Sequence, residues 1–220
     1  MVQAEPPTRF DGEPHEYLLA AGTRLSRVHS SQFGATGFNR EIARHELRGG
    51  RFDATDDDPF AFLYAASNDH TAVSETLLRD LPPTQRGARM LPRAQIAKRK
   101  IGWLASTVDL PLVNLRSGED LAAVGQDTWL TTGPASDYAL TRQWAAAIRR
   151  WAPWSAGLTW RSRREPDGFA FVLFGDRVPA DCLVEVTDDV PLPVDQRRLD
   201  QGLGQAYLQR ILLDYHVVIR

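Results

Sequence analysis

The sequence predicts a single α+β domain, and three observations carry that reading. Segments of helical period and segments of strand period are interspersed without a regular βαβ rhythm. No internal repeat of roughly 20–50 residues is present. No linker is long enough to divide the 220 residues. A chain of this length buries about 70% of its unfolded surface on folding, so a core needs no disulfide or metal staple. Hydrophobic residues at 43% and charged residues at 25% are those of a globular protein, which excludes intrinsic disorder and coiled coil.

The elements follow in order. Residues 1 to about 20 read as a flexible arm, with Pro6, Pro7 and Pro14 and no sustained period. Arg24–Ser30 (RLSRVHS) sets Leu25, Arg27 and His29 against Ser26, Val28 and Ser30, the alternation of a strand. A glycine-punctuated stretch from Phe33 to Phe52 reads as sharply bending loops. Ala61–Ala66 (AFLYAA) is a short apolar run of buried-strand type. Asn68 or Asp69 caps a helix to about Arg79, stopped by Pro82 and Pro83; Ala72, Val73, Thr76 and Leu77 share one face and Glu75 points away. Gln95–Ala97 and Leu112–Asn114 are short β-like runs. The clearest helix spans about 135–151, where Leu140, Trp144, Ala147, Ile148 and Trp151 form one stripe that Pro153 ends. Trp144, Trp151 and Trp154 are read as core. Gly157–Trp160 and Phe169–Phe174 are strands divided by a charged turn, and Cys182–Val186 is another. A last helix spans 195–214, weakened by Gly202 and Gly204. The predicted division is an arm over 1–20, the main unit over 21–180, and a C-terminal strand and helix over 181–220 packed on the same domain.

Charge and composition narrow the function. Twenty-six Lys and Arg against 28 Asp and Glu leave a net charge of −2, without the positive field of a nucleic-acid or anionic-membrane binder. One cysteine, Cys182, excludes an internal disulfide or a cysteine-rich zinc site, and its apolar context suits an inert buried thiol. No apolar run approaches the ~18 residues of a membrane span, and the N-terminus lacks the pattern of a secretory signal. The expectation is a cytoplasmic protein with no membrane or direct nucleic-acid contact. No GxxxxGK, GxGxxG, HExxH or GxSxG motif occurs. Asp56, Asp57 and Asp58 read as a solvated turn, so no metal site is expected.

One dispersed set survives: Arg27, Gly50-Arg51-Phe52-Asp53, Tyr64, Glu75 and Trp160-Arg161-Ser162-Arg163. In order and spacing it resembles the RES domain, named for its Arg, Glu and Ser. The family pattern is an arginine on the first strand, a GGR-W-N segment, a tyrosine-bearing strand, a glutamate early in the next helix, and later a serine after a short strand. These features read here as Arg27, the segment GGRFD at 49–53, Tyr64, Glu75 and Ser162, across about residues 22–178. Phe52 and Asp53 stand where Trp and Asn are usual, Trp160 where tyrosine is common, and Ala170 where asparagine is expected.

The resemblance implies a mixed β core flanked by helices, like that of ADP-ribosyltransferases. It also implies a toxin that consumes NAD by hydrolysis or phosphorolysis, with no cofactor, NAD as substrate and inorganic phosphate as a co-substrate. A small helix-turn-helix antitoxin of the Xre type would plug the cleft. Arg27 and Glu75 would be catalytic; Arg51, Tyr64, Ser162 and Gly50 would bind NAD. The residue types suit that chemistry. Nicotinamide leaves without acid assistance, so the protein must hold a pyrophosphate and stabilise positive charge growing on the ribose. Arginine forks bind phosphate oxygens bidentately, and a carboxylate can sit beside the oxocarbenium-like centre. Arginine-modifying transferases of similar fold carry a second glutamate two residues before the catalytic one; here that position is Val73. Two alternatives stay open: a protein ADP-ribosyltransferase, and a non-catalytic NAD- or partner-binding module.

Overall fold

A computed structural model describes residues 4–42, 49–82 and 87–220. Ten strands, β1 (Glu16–Leu19), β2 (Arg24–Ser30), β3 (Phe62–Ala66), β4 (Arg89–Leu91), β5 (Arg99–Ser106), β6 (Leu110–Leu115), β7 (Gly157–Arg161), β8 (Phe169–Phe174), β9 (Leu183–Glu185) and β10 (Val217–Ile219), combine with six α-helices. The helices are α1 (Asp69–Val73), α2 (Arg93–Ile96), α3 (Gly118–Ala122), α4 (Trp129–Thr132), α5 (Tyr138–Trp151) and α6 (Gly202–Asp214). Eight strands form one mixed sheet in the order β1-β6-β7-β8-β3-β2-β5-β9, and β10 pairs with β4 in a second, parallel pair. The parallel contact inside the large sheet is β6 with β7. It is the pair that needs a long crossover, and α3, α4 and α5 supply it.

The large sheet curls where β3 meets β2. Seven residues of β2 pair with β5, but only Ser26 and Ala66 are in register across the β2–β3 seam. Folding there brings Leu25 and Leu104 of one half against Leu63, Leu112, Phe171 and Leu173 of the other. This cluster is apolar, and it also takes up Cys182, which is buried and whose thiol burial pushes up. On the outer face α5 covers one half through Trp144, Ala145 and Ile148. On the other half α1, the π-helical segment Ser74–Leu78 that continues it, and α6 pack Val73, Leu77, Leu208, Ile211 and Leu212 over Val28 and Ile101. The α+β, single-domain expectation holds, as do strands β2, β3 and β8 with nearly the predicted bounds.

Several local readings are corrected. The arm is docked: β1 pairs antiparallel with β6, Phe10 stacks on Trp151 with centroids 4.4 Å apart, and the Trp144 indole donates to Ala4 O at 3.0 Å. A four-residue strand is too short to show a period. Gln95 and Ile96 belong to α2, which follows Pro92, and Ala97 is its C-cap. Trp154 is 40% exposed because it follows Pro153, beyond the stripe of α5. The last helix starts at Gly202, whose φ of +56° marks the break from a separate 3-10 turn at Val194–Gln196. The helix read over 69–79 begins as α1 under its Asn68 cap and then widens into a π-helical segment, Ser74–Leu78. Pro83 and His45 lie outside the described residues. Among the described residues no helix is long and apolar enough to cross a membrane, and no group of three metal-ligating side chains occurs.

His29 illustrates what the inner face demands. Burial first, and then the charges of Arg27 and Lys100, lower its pKa to about 3. The folded protein therefore holds it neutral, whereas an unfolded His takes up a proton below about pH 6.5. The resulting stability is full above pH 6.5 and is lost as the pH falls toward 3. Urea unfolding of wild type should lose about 1.4 kcal/mol per pH unit through His29 below pH 6.5; His29→Gln should remove that slope, and an unchanged slope contradicts it.

Candidate functional site

The glycine pair before Arg51 is shaped by close approach. A Cβ on Gly50 would stand 2.5 Å from Asp53 Oδ1 and 2.6 Å from the Tyr64 hydroxyl. The Gly50 amide donates to Asp53 Oδ2 at 2.6 Å, and the Phe52 amide donates to the Tyr64 hydroxyl at 2.9 Å. Strand β3 thus props the 49–53 turn with its one outward tyrosine. Burial, and then the neighbouring Asp53 charge, raise the Tyr64 phenol well above its ordinary range, so it stays neutral. Burial likewise pushes the Asp53 carboxyl up, opposed by the Gly50 amide.

That turn aims Arg51 inward. Its guanidinium donates to Leu130 O at 3.2 Å and Gly133 O at 2.9 Å, at the end of α4, and lies 4.9 Å from the Tyr138 ring. The Arg79 guanidinium lies 5.1 Å from the same ring. Two cations therefore share one aromatic ring, an arrangement that concentrates positive charge on a nearly neutral protein. Burial lowers the Arg51 pKa, while Tyr138 and Glu75 act the other way.

Glu75 is the second residue of the π-helical segment, and its Oε1 accepts from Ser162 Oγ at 2.6 Å. Ser162 is buried at the end of β7, where its amide donates to Gly168 O and its hydroxyl accepts from the Glu165 amide. The turn can approach α1 because residue 168 is glycine: a Cβ there would sit 1.8 Å from Thr71 Oγ1. Val73, two residues before Glu75, is fully buried in the core and presents nothing to the site.

The structure gathers Gly50, Arg51, Tyr64, Glu75 and Ser162 on the outer side of the sheet. It does not bring Arg27 to them. Ser26 faces Ala66 across the β2–β3 seam, so Tyr64, two residues from Ala66, shares the Ser26 face, and Arg27 points through the opposite one. There the Arg27 guanidinium donates to Ala35 O at 2.7 Å and Gly37 O at 2.8 Å, and burial alone lowers its pKa to about 10. Arg161 and Arg163 are exposed, with Arg161 bonded to Pro166 O. Tyr138 and Arg79 were not singled out from the sequence. Arg79 stands four residues after Glu75, the helical spacing that could have found it; Tyr138 gave no signal beyond opening the strongest helix. A cavity of about 470 Å³ opens nearby between α5 and the 54–57 loop, lined by Arg142 and Arg150, but it does not include Glu75 or Ser162.

The family model described as RES domain matches residues 24–195, more than three quarters of the chain. The chain belongs to the RES domain family. Among solved structures, this RES protein is similar to the toxin–antitoxin complex MbcT–MbcA of M. tuberculosis, with a TM-score of 0.54 and 14% sequence identity. The match covers 77% of this chain and 84% of the other. At that identity the likeness speaks for the fold: a curled mixed sheet flanked by helices, consistent with an ADP-ribosyltransferase-like architecture. No curated protein matches the chain.

The Gly50 contacts give a direct test. Gly50→Ala should cost about 2 kcal/mol of stability by driving Asp53 and Tyr64 apart, measured by thermal and urea unfolding. A variant as stable as wild type would show that the turn relaxes freely.

Proposed function

We propose that this RES protein is a toxin that cleaves the nicotinamide–ribose bond of NAD. The observation that carries the reading is the Ser162–Glu75 hydrogen bond set beside the Arg51–Tyr138–Arg79 stack. Paired guanidiniums suit a pyrophosphate, and a carboxylate oriented by a buried hydroxyl suits a ribose that becomes cationic. In the reaction the C1′–N bond breaks with its electron pair going to the nicotinamide nitrogen, which leaves as neutral nicotinamide. The ribosyl cation then takes an oxygen from water or inorganic phosphate, and the proton lost from that nucleophile passes to solvent.

Glu75 is positioned to hold a ribose hydroxyl and to place negative charge next to the cation; Ser162 fixes its rotamer. Tyr64 supports the turn that aims Arg51. Arg27 serves from beneath, by fastening the 33–37 loop. The burial of Val73 favours water or phosphate over an arginine side chain, since no second carboxylate is present to receive one. An antitoxin partner follows from the same reading: the similar M. tuberculosis structure is a toxin–antitoxin complex, and an NAD-consuming enzyme in a cell needs restraint. A small helix-turn-helix protein that covers the Glu75 face would supply it.

Purified protein incubated with NAD should release nicotinamide, and adding phosphate should shift the second product from ADP-ribose to its 1″-phosphate if phosphate is the acceptor. Glu75→Gln should lower kcat by about 10²–10³ with its fold intact, and it should relieve growth inhibition on expression. Unchanged NAD at high protein concentration would remove the proposal, and label transferred to protein faster than nicotinamide is otherwise freed would redirect it to protein ADP-ribosylation.

A further inference from the structure

The C-terminal helix α6 and its following turn lie beyond residue 195, where the RES match ends. They nevertheless touch both elements that make the Glu75–Ser162 pair. The Tyr215 hydroxyl donates to Glu165, whose own amide donates to Ser162 Oγ at 3.2 Å. The same phenol stands beside Ser74, the residue before Glu75; the Ser74 hydroxyl is buried and makes no good hydrogen bond of its own. About two turns earlier, on α6 itself, the Tyr207 hydroxyl donates to Asp69 at the start of α1. Asp69 also accepts from Ser26 on β2 and, at 2.8 Å, from the Trp103 indole on β5. Leu208, Ile211 and Leu212 anchor α6 in the core that holds Val73, Leu77 and Leu78.

We infer that Tyr215, with Tyr207 behind it, is a positioning residue that clamps the Glu75 segment against the Ser162 turn. The inference rests on the NAD-cleaving reading for its kinetic consequence, but not for its structural one. The segment it holds is the one that needs holding. Ser74–Leu78 is π-helical, a widened turn whose hydrogen bonding is less regular than that of an α-helix and whose geometry is fixed by neighbours. The Ser162 turn meets that segment through the Ser162–Glu75 bond, and it meets the residues on either side through the Gly168–Thr71 approach and the Arg164 bonds to Arg79 O at 3.2 Å and Leu81 O at 3.0 Å. A phenol bonded to Glu165 on one side and packed on Ser74 on the other ties the two next to the Ser162–Glu75 bond itself. Its environment matches: burial first, and then the bond to Glu165, raise the Tyr215 pKa to about 12, so the donor is kept through the physiological range. The third contact, His70 with Asp214 at 3.0 Å, is half exposed on both sides and adds little.

Tyr215→Phe keeps the ring and removes only the hydroxyl. Amide hydrogen exchange in this variant should rise at residues 74–79 and 162–168 and stay unchanged in β7 and β8. Unchanged exchange at 74–79 and 162–168 overturns the clamp whatever the protein's activity. With NAD as substrate, kcat should fall between about 10- and 100-fold, as for a small misplacement of a reacting group, with KM nearly unchanged. In a Ser162→Ala background the same change should have little further effect, because the clamp acts through that serine. A full additive loss there, or a wild-type kcat in Tyr215→Phe, also overturns it. Leu213→Ser, an exposed change on the same helix, should leave exchange and kcat alone. A wild-type protein that leaves NAD intact, together with the exchange response in Tyr215→Phe, refutes the enzymatic reading and keeps the clamp.

Discussion

The structure turns on one hydrogen bond between parts of the chain 87 residues apart, Ser162 Oγ to Glu75 Oε1. It closes the outer rim of the sheet, where β7 ends and α1 has just widened into a π-helical segment. Both ends depend on backbone that other side chains would not permit. Gly168 lets the 162–168 turn lie against Thr71, and the capped start of α1, where Asn68 accepts from the Thr71 amide, fixes where Glu75 falls. Among the described residues the carboxylate so held has a hydroxyl rather than a guanidinium as its hydrogen-bond partner.

Positive charge is arranged with the opposite logic. The protein as a whole is nearly neutral, yet Arg51 and Arg79 converge on Tyr138. Arg51 is buried and donates to main-chain carbonyls at the end of α4, where a carboxylate partner would have cancelled its field. By contrast Arg149 is neutralised by Asp58 and Asp176 while packed on Phe60 and Phe174, the mark of a structural cation. The aspartates read as a solvated turn thus serve, through Asp58, as counterions for the core helix. Comparable burial gives two different outcomes, decided by what each guanidinium meets.

Much of the fold was legible. Strand alternation in RLSRVHS and the unbroken apolar run of FAFVLF fixed β2 and β8 because side chains on a strand must divide between two faces or be buried on both. The stripe Leu140, Trp144, Ile148 found α5. Short elements escaped: β1 has four residues and α4 four, fewer than a period needs to repeat. Within the candidate site, Gly50, Arg51, Tyr64, Glu75 and Ser162 were legible because their types and order follow the RES pattern. Arg79 and Tyr138 were not, since neither stands in that pattern and their meeting requires the 69–82 and 138–151 segments to pack.

Sequence alone determined the class of the domain, which follows from periodicity and composition, and the RES family, which follows from the order of its residues. Tertiary structure decided which of those residues meet. Arg27 and Tyr64 sit on neighbouring strands, but the pairing of Ser26 with Ala66 sends them through opposite faces. Only that register, set by long-range pairing and by the curl of the sheet, separates a guanidinium that fastens a loop from one that faces Glu75.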